Sequence, residues 1–420
     1  MEMIQVVLLT VLVFFVIVSI HEWGHYFFAK RAGILVREFA IGFGPKLFSV
    51  KRGETRYTLR LIPAGGFVRM AGEDPEIVDV SVGQTIAVRI KDDVITRIYL
   101  DRLDERSNVV RGEVLQIDLE RNLSIALEVE GERESYSVHP QAFMISKGTE
   151  TQIAPIDRQF GGKTVGQRAL AIFAGPAMNF VLAFVLFAAY VQMAGIAQHV
   201  LVKEVQAEMP AAAAGLQPND RIEAVNGEKI GADFNKMVDT IGESVGKPIT
   251  LDIIRNGTLQ QIVITPIANE DGIGKVGVVP KYETRSATFG ETFQRSSLLM
   301  KDMTISIFNG LKQLVLGQFK LDDLGGPVRT AEMTSEIAKR GITDLTLWTA
   351  MLSLYLGIFN LLPIPALDGS RLIFLGIEAL RRKPIDPNRE GLVHFIGFAF
   401  IMLLMLVVTY NDILRLVRGE

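Results

Sequence analysis

Five residues near the start of the chain, His21-Glu22-Trp23-Gly24-His25, have the types and spacing for metal-assisted hydrolysis. On a helix, positions i and i+4 share one face about one turn apart, so both imidazoles can reach a single zinc ion while Glu22 stands beside it. Zinc polarises a scissile carbonyl and makes water nucleophilic near neutral pH; a carboxylate takes the proton and later hands it to the leaving amine. The chain has five histidines and no cysteine, so a transition metal must be held by imidazole and carboxylate oxygen. A catalytic zinc also wants a third protein ligand and an open position. Asp368 is the best candidate, lying just after a double-proline break in Asn360-Leu361-Leu362-Pro363-Ile364-Pro365-Ala366-Leu367-Asp368-Gly369. Prolines remove amide donors and free carbonyls, which membrane depth tolerates only where the backbone faces protein or a polar cavity. His139, His199 and His394 lack ligand spacing; His394 reads as an interfacial imidazole, and Glu378, ahead of Arg381 and Arg382, as a helix-end charge.

The elements that must position these groups are apolar. The chain has 420 residues, 49% of them hydrophobic, with a mean hydropathy of +0.28, more than a water-soluble protein of this size needs. A net charge of −3 offers no basic excess for nucleic acid, which we exclude as a partner. Four stretches are long enough to cross a bilayer: about Ile4 to Phe28, Ala169 to Ala194, Thr346 to the Pro363-Ile364-Pro365 break, and Leu392 to Val408. Five residues matching a metal motif arise by chance in soluble helices. Inside a lipid-spanning run, a charged group costs roughly 2.5–3.5 kcal/mol, so Glu22 between two histidines needs a compensating role. The plainer alternatives are an interfacial helix end for His21–His25 and a simple turn at Asp368-Gly369. Depth argues against both: the first run reaches His21 after roughly 17 residues, about 25 Å, and the third reaches Asp368 after about 20.

Lys30, Arg31, Arg37, Lys46, Lys51 and Arg52 follow the first run, and Arg381, Arg382 and Lys383 lie between the third and fourth. The excess of cations places these loops in the cytoplasm and, with four spans, both termini outside. The segments divide as 1–30, first span; 31–76, a membrane-associated β loop; 77–160, a cytoplasmic β-rich insertion; 168–195, second span. They continue as 196–284, an extracytoplasmic domain; 285–343, an amphipathic helical linker; 344–384, third span with its cytoplasmic end; 390–410, fourth span. In 196–284, Ala211-Ala212-Ala213-Ala214-Gly215-Leu216 followed by Asn219-Asp220-Arg221-Ile222 is similar to the PDZ signature, with Asn219 in a glycine position that needs a left-handed backbone.

Taken together, His21-Glu22-x-x-His25, Asn360-x-x-Pro363-x-Pro365-x-Leu367-Asp368-Gly369 and a PDZ-like segment between the second and third spans resemble the site-2 protease family of intramembrane zinc metalloproteases, in its bacterial, Gram-positive form. The likeness extends to Gly42-Phe43-Gly44-Pro45, Pro63-Ala64-Gly65-Gly66-Phe67, Gly175-Pro176-Ala177-Met178-Asn179 and Gly325-Gly326-Pro327. It implies a polytopic α-helical membrane protein of the bacterial cell membrane, with His21, His25 and Asp368 as zinc ligands and Glu22 as catalytic base. It further implies that Asn360 and Asn179 bind substrate backbone or hold the site together, a helix–helix hydrogen bond being the equal alternative. The strand loop with Gly65 and Gly66 would pair with an unwound substrate. Implied substrates are single-span membrane proteins already trimmed outside, such as anti-sigma factors, and remnant signal peptides. Two rivals differ in class: a PDZ scaffold without activity, against which the intact Glu22 counts, and a transporter, for which no inverted repeat is visible.

Overall fold

The first helix, α1 (Met3–Arg31), is apolar on all sides and ends on Lys30 and Arg31. Gly33, at φ +74°, closes it: the Gly33 amide donates to Lys30 O (3.0 Å) and the Ile34 amide to Ala29 O (3.0 Å), the paired bonds of a glycine C-cap. The computed structural model describes residues 3–73, 80–269, 272–318 and 325–418. Within them the chain divides into two compact units, Met1–Leu186 with Met300–Glu420, and Phe187–Leu299.

In the first unit, β1 (Val36–Arg52) and β2 (Thr55–Met70) double back on each other. Glu38 lies opposite both Arg69 and Arg56, and Ile41 opposite both Gly66 and Leu59. The first half of β1 is therefore flanked on both sides by β2, and among the described residues 66–70 pairs with β1 alone, leaving a free edge. The reversal needs Gly42, at φ +89°, where a Cβ would stand 2.7 Å from Ile62 O. The far end exposes Phe43, Leu47, Phe48, Leu61 and Ile62, an apolar surface suited to lipid.

The insertion forms β3 (Thr85–Lys91), β4 (Val94–Tyr99), β5 (Val110–Asp118), β6 (Ser124–Val129), β7 (Glu132–Ser146) and β8 (Thr149–Gln152). Their order is β4-β3-β5-β6-β7-β8, and a further parallel pairing of β4 with β7 closes the sheet on itself. Closure pairs the outer edge of β4 and encloses Ile86, Val88, Ile98, Val114 and Leu127, with β8 left as an added strand on β7. The β-rich insertion expected over 77–160 thus builds a small barrel from Thr85 onward; residues 77–79 lie outside the described residues.

After α2 (Val165–Ala194), the second unit contains β9 (Ile196–Val205), α3 (Pro210–Ala213), β10 (Arg221–Val225), β11 (Glu228–Lys229), α4 (Phe234–Gly242), β12 (Ile249–Arg255), β13 (Thr258–Ile264), β14 (Ile267–Ala268), β15 (Gly274–Lys275) and β16 (Val278–Arg285). Its sheet runs β13-β12-β10-β9-β16 over a core of Val200, Val202, Ile222, Leu251 and Met237. Asn219 adopts φ +74°, the left-handed turn its position calls for. Buried Asp220 accepts from Arg255 Nη2 (2.6 Å) and the Gln217 amide (2.7 Å), fixing that turn.

The chain continues as α5 (Phe289–Val315), α6 (Pro327–Arg340), α7 (Ile342–Asn360), α8 (Asp368–Arg381) and α9 (Pro387–Arg418). Among the described residues, four helices are long and apolar enough to cross a membrane: Ile4–Arg31, Val165–Ala194, Ile342–Asn360 and Arg389–Arg418. At the fourth span the structure goes beyond the sequence reading, and two other segments resolve into the helices expected of them. The segment 344–384 is two helices, because Pro363 and Pro365 have no amide hydrogen and disfavour helix in the residues before them, so α7 stops at Asn360 and α8 restarts at Asp368. The fourth span exceeds 390–410, continuing to Arg418. The linker 285–343 resolves into α5 and α6, with α6 packed on α1 and α7. Buried Asp412 of α9 caps α6, accepting from the amides of Gly326 (3.2 Å) and Arg329 (3.0 Å).

Candidate metal centre

His21, Glu22 and His25 lie on the buried side of α1 because that helix approaches α2 through glycine. A Cβ at Gly24 would stand 2.4 Å from Ala174 O, and one at Gly175 would stand 2.1 Å from His25 Nε2. The space a larger residue would fill is occupied by the imidazole itself. Asp368 arrives from the other end of the sequence as the first residue of α8, where a carboxylate is favoured by the helix dipole. Gly369 permits this entry: a Cβ there would lie 2.3 Å from the carbonyl oxygens of both Leu361 and Leu362.

Three donor atoms converge. His21 Nε2 lies 3.2 Å from His25 Nε2, and Asp368 Oδ2 lies 3.4 Å from each. Ligands of a tetrahedral zinc at bonds of about 2.0–2.1 Å stand about 3.3–3.4 Å apart, so the triangle has the size of one face of a zinc tetrahedron. Asp368 Oδ2 is buried and has no hydrogen-bond partner, a costly state for a carboxylate unless a cation supplies the missing charge.

Neighbouring groups set the imidazole tautomers. His25 Nδ1 donates to Ala171 O (2.9 Å), which leaves the Nε2 lone pair facing the cluster. His21 Nδ1 lies 3.2 Å from the side-chain amide of fully buried Asn179, whose Oδ1 is otherwise unpartnered. Turning Oδ1 onto the His21 Nδ1 proton satisfies that oxygen and frees Nε2 as a ligand. Asn179 is held in turn by α7, where Ser353 Oγ donates to Asn179 O (2.9 Å) and Gly357 allows close packing.

Glu22 is buried, and its side chain runs along Gly66: a Cβ there would lie 2.8 Å from Glu22 Cγ and 2.7 Å from Ala40 O. Gly66 thus brings the free edge of β2 onto the carboxylate. Gly65, at φ +111°, meets Phe43 instead, so it shapes the strand rather than the cluster. Asn360 donates to Leu356 O (3.0 Å) at the end of α7 and lines the cavity without bonding to the histidines or Asp368. That cavity, about 850 Å³, is lined by His21, Glu22, His25, Gly66, Asn360 and Asp368 among others.

Several participants escaped the sequence reading. Arg371, one turn after Asp368, pairs with Glu73, and Arg168 Nη1 donates to Glu378 Oε2 (3.0 Å), so Glu378 is an ion-pair partner on the cavity wall. Glycines 24 and 175 in apolar helices and an arginine one turn past a candidate ligand were the visible signals.

Residues 9–404 match the family model described as peptidase family M50. The chain is 44% identical over 415 residues to zinc metalloprotease RasP of Geobacillus kaustophilus, covering 98% of each chain. It is 43% identical to the regulator of sigma-W protease RasP of Bacillus subtilis, covering 98% of this chain and 99% of that one, and 40% identical to the probable protease eep of Enterococcus faecalis, covering 96% and 98%. Among solved structures it is similar over 20% of its length to the PDZ domain of the SdrC-like protein from Listeria monocytogenes, at 21% identity over 90% of that chain and a TM-score of 0.19. With a family model spanning nearly the whole chain and relatives of this identity, the chain belongs to peptidase family M50, the site-2 proteases, and is a membrane zinc metalloprotease.

Proposed function

We propose that the chain cleaves peptide bonds within the transmembrane segments of single-span membrane proteins whose outer portion has already been removed. The observation that carries this reading is the triangle of His21 Nε2, His25 Nε2 and Asp368 Oδ2, 3.2–3.4 Å on a side, beside Glu22 and a free strand edge. His21, His25 and Asp368 would hold zinc, which when bound would supply the Lewis acidity that activates water and polarises the scissile carbonyl. Glu22 takes the water's proton and delivers it to the leaving amine. The edge 66–70 binds the substrate as an added strand; a helical peptide bond is shielded from attack, so unwinding must precede cleavage. Gly66 keeps that edge close to Glu22, Gly65 shapes the strand that carries it, Asn179 orients His21, and Asn360, which lines the same cavity, contacts the substrate backbone.

The Bacillus subtilis relative is named a regulator of sigma-W protease, which supports anti-sigma factors as one substrate class in regulated intramembrane proteolysis. Remnant signal peptides are a second, being short apolar helices with little outside the bilayer. The PDZ-like unit acts as a size filter or recognises the trimmed end. Both termini face outside the bacterial cell membrane, an orientation that single introduced cysteines with impermeant reagents can test in a chain that has none of its own. The decisive experiment is Glu22→Gln assayed on a model single-span substrate. Cleavage should fall by at least about a hundredfold while zinc content is kept; unchanged cleavage would falsify Glu22 as the base.

A further inference from the structure

We propose that His394 of α9 is a positioning residue for the metal ligand Asp368, so that the fourth apolar helix serves the metal centre as well as anchoring the chain. The inference rests on the reading of Asp368 as a ligand. Asp368 is delivered by a loop whose residue Ala366 sits at φ +77°, a left-handed conformation that non-glycine residues disfavour. Pro363 and Pro365 have no amide hydrogens, and the amides of Ile364 and Leu367 are spent within the loop, on Leu362 O (2.8 Å) and Ile364 O (3.1 Å). The Ala366 amide instead crosses to α9 and donates to His394 Nδ1 at 3.1 Å.

One turn further on, Gly397 seats the α9 backbone against the same loop. A Cβ there would stand 2.2 Å from Pro365 Cβ and 2.7 Å from Pro365 O. The ring of His394 also meets Phe374 of α8 edge-on, with centroids 5.6 Å apart. Because Nδ1 accepts from Ala366, the proton belongs on Nε2, which is buried and faces Glu390 Oε1 at 3.6 Å. His394 is therefore not the plain interfacial imidazole its place in the sequence suggested. It joins α9 to a strained turn two residues ahead of a ligand. Metal affinity depends on holding the Asp368 oxygen where the two imidazole nitrogens can share an ion with it, and the hydrogen bond from Ala366 is what fixes the turn.

The test measures zinc affinity of the purified full-length protein in detergent by competition with a chelator. In His394→Asn the side-chain oxygen falls near the place of Nδ1, whereas His394→Gln carries its acceptor further out and His394→Ala has none. Zinc should bind at least about tenfold more weakly to the Gln and Ala variants and within about threefold of normal to the Asn variant. Should His394→Ala fail to fold, the contrast between Asn and Gln still decides. Equal affinity in all variants, or equal loss in Asn and Gln, overturns the inference. Asp368→Ala, measured alongside, separates the two levels: retained zinc there defeats the ligand assignment itself, whereas lost zinc there with unchanged His394 variants defeats only the role of His394.

Discussion

Two carboxylates in the first unit are each ringed by nitrogen atoms from distant parts of the sequence, and they differ in which atoms carry protons. Glu54, at the β1–β2 turn, accepts from Arg158 Nη1 (2.5 Å) and Nη2 (2.7 Å), from Gln152 Nε2 (2.9 Å) and from Gln141 Nε2 (3.4 Å), with Lys30 Nζ at 3.7 Å. Both oxygens there meet donors, and hydrogen bonding from Arg158, joined by Gln152 and working against partial burial, holds the Glu54 carboxyl down to about 2. At Asp368 the nitrogens offered are imidazole atoms whose protons are committed or can be committed elsewhere, at Ala171 and Asn179. The first arrangement is complete with protein alone and ties the β1–β2 turn to the barrel and to the stretch leading into α2. The second leaves Asp368 Oδ2 without a hydrogen-bond donor, a state that a bound cation would complete. Saturation, rather than the mere gathering of charged residues, separates a structural ion pair from a metal centre.

Substitutions can break that contrast. His25→Ala, or chelation of the wild-type protein, should remove zinc and lower cleavage by several orders of magnitude, and added zinc should restore only the chelated wild type; cleavage assays with zinc analysis decide this. Gly175→Ala comes next, since its Cβ would lie 2.1 Å from His25 Nε2. We expect zinc affinity to fall by about 10–100-fold, the range seen when groups orienting a ligand are disturbed. Gly310→Ala, on a helix with nothing within 4 Å of its Cβ, should leave zinc untouched and stabilise by up to about 1 kcal/mol. A zinc affinity unchanged by Gly175→Ala would mean the α1–α2 approach does not set the ligand.

Smaller effects belong to the saturated site. Glu54→Gln leaves Arg158 without its bidentate partner and should destabilise the protein by about 1–2 kcal/mol, read as a lower thermal midpoint with zinc content unchanged. The smallest signal is in pH. Because the folded Glu54 carboxyl titrates near 2 against an ordinary value of 4.5, the folded state binds fewer protons than the unfolded state between those values. Its contribution is thus present above about pH 4.5 and lost as pH falls toward about 2. Glu54→Gln should flatten that part of the stability curve, and an unaltered acid slope would remove Glu54 from the account.

Much of the site could be read from local spacing. His21 and His25 needed only one turn of helix between them, and Asp368 stood out because charge after two prolines in an apolar run has few innocent explanations. The same local logic read Glu378 as a helix-end charge, and it does lie in the last turn of α8, but its partner Arg168 was out of sight 210 residues away, as was the Ala366 amide that meets His394, 28 residues away. Asn179 was recognised without its use: only the structure sets its amide against His21 and its carbonyl against Ser353.

The order of apolar runs, the motif in the first and the break after the third follow from the chain alone, because hydropathy, helical periodicity and the missing amide of proline act within a few residues. The meeting of His21 and His25 with Asp368, more than 340 residues later, depends on packing. Glycines at 24 and 175 let α1 and α2 approach, Gly66 lays a strand on Glu22, and Gly369 and Gly397 admit the turn that carries Asp368. Each is a place where a side chain is absent so that another element can enter, and an absence has no meaning in a sequence until its neighbour is known. The closing of β3–β8 through β4 and β7 is of the same kind, since strand alternation reports which face is buried but not which strand lies alongside.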